Sequence, residues 1–156
     1  MNQNRIDRKR LYSLLKNLVD IYSPSGKEEE ITEWLSGYLT SLAGNFFEIR
    51  REPVDSFREN IMLCKKGTNP DFLFLGHIDT VPAFDIENYG FAEKNDLCSG
   101  LGTADMKGGC AAMVEAFIAA AETGSFPDNA MLALVAGEEE SGDGTKAFLE
   151  RHDFRH

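Results

Sequence analysis

An α/β fold, with helices packed on a sheet that has parallel members, is predicted by three observations. Two apolar runs that hardly alternate, "DFLFLG" (71–76) and "AMLALVA" (130–136), read as strands buried on both faces. Between them lies a stretch with helically spaced apolar residues, and strand, helix-bearing crossover, strand is the βαβ pattern. Ahead of both come two amphipathic helices and two more strand-like segments, so four segments are expected to form one sheet.

Leu11, Leu14, Leu15, Leu18 and Tyr22 recur at helical spacing, and Pro24 and Gly26 of "SPSG" stop that helix. Ser25 followed by Glu28 has the form of a capping box for a second helix, with Ile31, Trp34, Leu35, Tyr38, Leu39 and Leu42 inward. The acidic run Glu28 to Glu30 reads as its solvated face. "FFEIR" (46–50) and "NIMLC" (60–64) read as strands, the second ending in the turn-forming "KKGTNP". The loop from Pro82 to Thr103 is long for a compact domain, and such loops are functional or carry small elements of their own. From Met106 to Glu122, the residues Met106, Cys110, Met113, Val114, Phe117 and Ala121 mark one helical face.

Composition narrows the function. The chain has 156 residues, enough for one domain that buries roughly two thirds of its unfolded surface. Twenty-six acidic residues against 16 basic give a net charge of −10, which repels phosphate backbones and anionic lipid alike, so neither nucleic acid nor a membrane is an expected partner. The opening segment has no continuous apolar run, and the expected compartment is the cytoplasm. Cys64, Cys98 and Cys110 are odd in number and lack CxxC spacing, which argues for reduced, packed thiols over a disulfide framework or a thiolate zinc site.

Three polar clusters fall at predicted strand exits, where open α/β sheets bind their ligands. His77 and Asp79 follow "DFLFLG"; residues i and i+2 of an extended chain point the same way, which suits a metal-bound imidazole beside a carboxylate that orients it, or a hydrogen-bonded histidine at a strand end. "GLGTADMKGG" (100–109) has a GxG, but Asp105 stands where a dinucleotide fingerprint has its third glycine, and no strand is expected immediately before it. Asp105 reads instead as an acid reaching into a site, or as an N-cap. In "VAGEEESGDGT" (135–145) a buried strand ends at Glu138, Glu139 and Glu140. Acids crowded and dehydrated at such an exit persist where cations or protons offset them, and carboxylates with imidazole point to zinc, with cobalt or manganese as relatives. Metal-activated water with a glutamate base makes amide hydrolysis the natural reaction, and the isolated Asp105 is the acid best placed to bridge two ions. No GxSxG or GxxxxGK[ST] occurs.

"GHIDTVP", "GLGTADMKGG" and "GEEESGDGT", with 28 residues from His77 to Asp105 and 34 from Asp105 to Glu139, resemble the dizinc amidohydrolases that include aminoacylase, carboxypeptidase G, tripeptidase T, acetylornithine deacetylase and succinyl-diaminopimelate desuccinylase. "SPSGKE" also looks like that family's opening. The resemblance implies a three-layer sandwich whose mixed, largely parallel sheet is flanked by helices. It implies that His77 binds one zinc, that Asp79 supports that histidine, that Asp105 bridges both ions, and that the Asp105–Met106 peptide bond is cis. Glu139 is then the general base and Glu140 the ligand of the second zinc; sliding by one residue would assign Glu138 and Glu139 to these roles. Leu101 departs from a frequent arginine.

The resemblance further implies a small peptide or N-acyl amino acid substrate. Residues 1–156 are expected to be the N-terminal part of a zinc hydrolase catalytic domain. By the same resemblance, a lid or dimerisation domain, through which the full-length protein can be a homodimer, and the C-terminal part with a further carboxylate and histidine are expected to lie outside these residues. His152 and His156 in "ERHDFRH" have helical spacing but read as a surface helix. The alternative for this chain is a metal-binding but catalytically inactive fragment or interaction module; a nucleotide-binding domain built on "GLGTAD" is weaker.

Overall fold

The computed structural model describes residues 6–68 and 70–152. Two helices open the chain, α1 (Arg8–Asp20) and α2 (Glu29–Ala43). Asp7 caps the first: its carboxylate accepts from the backbone N–H of Lys9 at 2.9 Å and of Arg10 at 3.1 Å, satisfying donors that a first turn otherwise leaves unpaired. Leu14, Leu18, Ile31, Leu35 and Leu39 are buried along the predicted faces. The expected capping box does not form. Glu28 occupies the N-cap of α2 without a side-chain cap bond, and Ser25 is committed elsewhere, as described below. Glu28 also departs from the expected solvated face, being buried while Glu29 and Glu30 are exposed.

The four predicted strands form one sheet: β1 (Phe47–Pro53), β2 (Glu59–Lys65), β3 (Phe72–His77) and, after the crossover, β6 (Ala130–Val135), in the order β1-β2-β6-β3. β1 and β2 pair antiparallel, as do β2 and β6, and β6 pairs parallel with β3. The mixed sheet flanked by helices is as expected, but the parallel share is smaller than expected, confined to one pairing among the described residues. β6 is buried throughout. β3 corrects the reading that both apolar runs are interior, because it is an edge strand with Phe72 62% and Phe74 47% exposed. Non-alternation alone does not separate a central strand from an edge whose outer positions happen to be apolar.

Helices cover both faces. Ile61, Leu63, Leu132 and Leu134 pack with α1, α2 and the crossover helix α3 (Gly108–Glu122). Met62, Cys64, Met131, Ala133 and Val135 face the other way, toward Phe148 of α4 (Asp143–Arg151). The alternation is the period-2 pleat. α1 is pinned to α3 by the buried Glu115, which accepts from Arg10 Nε at 2.6 Å and from the Asp7 N–H at 2.7 Å. The long loop carries a two-stranded hairpin of its own, β4 (Ala92–Lys94) with β5 (Leu97–Ser99). A strand therefore does precede the glycine cluster, contrary to expectation, though it belongs to the hairpin and not to the main sheet. Cys64 and Cys110 are buried, Cys98 is partly so, and all three are free thiols. Among the described residues no helix is long and apolar enough to cross a membrane.

Candidate metal centre

The parallel pairing brings the clusters together. His77 lies in register with Val135, so β3 and β6 end level with one another and both chains leave the sheet into the same space. The bond from the Ile78 N–H to the Val135 carbonyl (2.9 Å) extends that pairing by one step. Asp79 follows the end of β3, and Glu138 to Glu140 follow the end of β6.

His77 is 4% exposed and Asp79 fully buried. The His77 Nδ1–H donates to the Asp79 carbonyl oxygen at 3.0 Å, with the Asp79 carboxylate at 3.4 Å. That fixes the ring and aims Nε2 outward, the tautomer a metal ligand requires. The Asp79 carboxylate accepts from Ser25 Oγ (2.5 Å) and from the backbone N–H of Glu138 (3.0 Å) and of Glu139 (3.1 Å). Burial alone would raise its pKa, but His77 and these donors hold it down to about 2. Asp79 thus does more than support the histidine: it clamps the glutamate turn to the end of β3. The sequence pattern marks Ser25 as a cap, and nothing in that local pattern separates a cap from a donor to a residue 54 positions away.

Asp105 sits in a kinked segment (103–107) ahead of α3. Its own φ, ψ are −133°, 100°, the Asp105–Met106 peptide bond is cis, and Gly102, in the left-handed region at φ 75°, starts the segment. Asp105 does not cap the helix; its carboxylate lies 3.1 Å from His77 Nε2. Glu138 to Ser141 form the turn that allows neighbouring acids to serve one site. Gly137 and Gly142, at φ 69° and 68°, frame it, and the Gly142 N–H donates to the Gly137 carbonyl at 2.8 Å. Those dihedrals favour glycine.

Ligand atoms of His77, Asp105 and Glu139 all lie within 4.8 Å of one another. Glu138 approaches His77 Nε2 at 3.7 Å, and Glu140 is exposed on the same turn, outside the triad. Dehydration is narrower than the sequence implies: the Asp105 and Glu138 side chains are 78% and 48% exposed. Burial pushes the Glu139 carboxyl up, and Asp105, Asp79 and Glu138 add to this against the opposing pull of His77. For His77, burial favours the neutral ring, but Asp79 and Asp105 outweigh it and lift the imidazole to about 9. Negative potential therefore collects a cation here, a proton or a metal ion. The donor set, one imidazole and carboxylates, suits a divalent metal.

Three further residues shape the centre without a sequence signal that pointed to them. Asn60 ties the exit of β6 to α4, accepting from the Ala136 N–H (3.1 Å) and donating to the Gly144 carbonyl (2.8 Å). Arg58 donates to Asp143 at 2.8 Å. Lys107 is buried and donates to the Ile21 carbonyl (2.8 Å), its pKa drawn down to about 8 by burial. His152 stacks on Phe148 and lies 2.9 Å from a Glu52 carboxylate oxygen; His156 lies outside the described residues.

The family model for peptidase family M20/M25/M40 matches residues 73–156. A probable carboxypeptidase of Emericella nidulans is 36% identical over 151 residues, covering 92% of this chain and 34% of that protein. A succinyl-diaminopimelate desuccinylase of Sulfurimonas denitrificans is 32% identical over 141 residues, covering 88% and 36%. The crystal structure of aminopeptidase PepT from Bacillus cereus superposes with a TM-score of 0.73 at 26% identity, over 94% of this chain and 41% of that one. The chain spans about a third of the length of these curated relatives. With the matched segment running from β3 through the glutamate turn, and so through the whole triad, the chain belongs to peptidase family M20/M25/M40.

Proposed function

We propose that the protein is a divalent-metal-dependent hydrolase, with zinc as its ion, that cleaves an amide bond in a small peptide or N-acyl amino acid. The observation that carries this is the convergence of His77 Nε2, Asp105 and Glu139 at the ends of a parallel strand pair, with Nδ1 already engaged by Asp79. His77 and Asp105 would hold the metal, and Glu140, on the rim of the same turn, would serve as a further ligand. A bound divalent ion supplies Lewis acidity toward the scissile carbonyl.

Glu139 takes the proton of the attacking water and returns it to the leaving nitrogen; its raised pKa suits both halves of that exchange. Asp79 keeps the imidazole oriented and the Glu139 backbone in place. The free thiols favour a reducing compartment, and we place the protein in the cytoplasm. A homodimer of the full-length protein is part of the same proposal. Glu139→Gln tests the assignment in a full-length protein containing this domain: turnover of dipeptides and N-acyl amino acids is lost while metal content by elemental analysis stays near wild type. Retained turnover with loss of metal would reverse the glutamate roles. A wild type that binds zinc without turning over any substrate would support the inactive module instead.

A further inference from the structure

Lys107 is a buried cation that the proposed reaction does not use. It is 1% exposed, and burying an ammonium is costly, so its place calls for a partner and a reason. The partner is the carbonyl of Ile21, which accepts from Nζ at 2.8 Å. Ile21 is the C-cap of α1, and no basic residue stands in that helix's last turn. The last carbonyls of a helix lack intrahelical donors and carry the negative end of its dipole, so a cation brought from elsewhere in the chain suits the position. The neighbouring Asp20 carbonyl likewise accepts from the hydroxyl of Tyr89, at 2.9 Å. Donors from outside α1 thus close its end, and one of them follows Asp105 by two positions.

The segment that carries Asp105 is closed at its base. The Lys107 N–H donates to the Gly102 carbonyl at 2.8 Å, and the Thr103 N–H to the Gly100 carbonyl at 3.2 Å, so residues 102–107 form a loop with Asp105 inside it. The lysine stem runs across that base. A Cβ built on Gly102 would stand 3.2 Å from Lys107 Cδ and 2.6 Å from Thr80 Cγ2, which leaves Gly102, at φ 75°, no room for a side chain. Asp105 itself is held less firmly. Its side chain is 78% exposed and its carboxylate meets His77 Nε2 at 3.1 Å, so its position depends on the backbone beneath it. We propose that Lys107 is a positioning residue for Asp105: bonded to the end of α1 through its ammonium and to Gly102 through its N–H, it anchors the loop and keeps the Asp105 carboxylate in front of His77. The consequence for metal binding rests on the reading of His77, Asp105 and Glu139 as a metal centre; the anchoring itself is measured without metal.

The experiment uses this chain. Protection against amide hydrogen exchange at positions 103 and 107, metal-free, is compared between wild type and Lys107→Met, which keeps most of the stem and loses the donor, with Val114 and Ile118 of α3 as reference. In K107M protection at the two loop positions falls about tenfold while α3 is unchanged, and zinc affinity by calorimetry falls roughly 10- to 100-fold. A double-mutant cycle with Asp105→Asn separates positioning from general loosening: acting through Asp105, the lysine change costs D105N no more than about threefold in affinity. Should K107M not fold, Lys107→Gln, with its shorter side chain, takes its place with the same exchange pattern and the same cycle expected. Wild-type protection at both positions in the folded variant overturns the proposal, as does equal loss of protection in α3 or a loss of affinity as large in D105N as in wild type. If D105N binds no zinc, the exchange pattern decides by itself. Absence of zinc binding in wild type would sink the metal reading, and the exchange data would still decide the anchoring.

Discussion

Replacing Asp79 by Asn keeps the volume of a fully buried side chain and changes one oxygen into a donor. Three donors converge on the native carboxylate, Ser25 Oγ and the N–H groups of Glu138 and Glu139. Whichever way the amide is turned, its NH2 faces at least one backbone N–H, so at least one charge-assisted hydrogen bond is lost and the others weaken. At about 1.5 to 3 kcal/mol for a bond to a charged group, the expected loss is about 2 to 4 kcal/mol. A carboxyl held down at about 2 by these donors and His77 points in the same direction, since the folded state favours the charged form. For a chain of this size the expected loss lowers the melting temperature by roughly 5 to 15 °C. The assay is thermal unfolding of D79N and wild type in the presence of a chelator. Because the folded-state pKa is depressed, the contribution is present above the unfolded value and is lost as pH falls, so the gap narrows between about pH 4 and pH 2. A variant melting within about 1 °C of wild type at neutral pH would refute the clamp.

His77→Ala should lower zinc occupancy in calorimetry at neutral pH; undiminished binding would remove the first cluster from the centre. Glu28 should give a pH signature of opposite sign to Asp79. Its carboxyl pKa is raised from 4.5, so the stability wild type holds relative to E28Q is present below about pH 4.5 and is lost as pH rises through the folded value. Urea unfolding across that range should show E28Q gaining on wild type, and a pH-independent difference would contradict a raised pKa. Leu134→Ala, at a fully buried position on the α1–α3 side of the sheet, should cost about 2 to 5 kcal/mol of unfolding free energy.

Element type was legible where periodicity is long: the faces of α1, α2 and α3 and the interior character of β6 follow from apolar spacing. Edge position was not, since Phe72 and Phe74 look as apolar in the sequence as Leu132 and Leu134, and only the pairing order leaves them at the margin. Ser25 and Glu28 carry a helix-start pattern, yet one is drawn to Asp79 and the other is buried. Local hydrogen bonding competes with partners more than 50 residues away, and the local pattern does not register them.

By itself the sequence singled out the candidate residues: a histidine, an isolated aspartate and a run of glutamates, each placed after a strand or before a helix. The tertiary structure decided which of them meet. The His77–Val135 register sets two strand ends level, the turn between Gly137 and Gly142 brings Glu139 into the triad and leaves Glu140 on its rim, and Asp79 joins the two chain segments through backbone N–H groups. Spacing along a chain constrains which side chains share a face of one element, whereas distances across elements follow from how the sheet pairs and where each backbone turns.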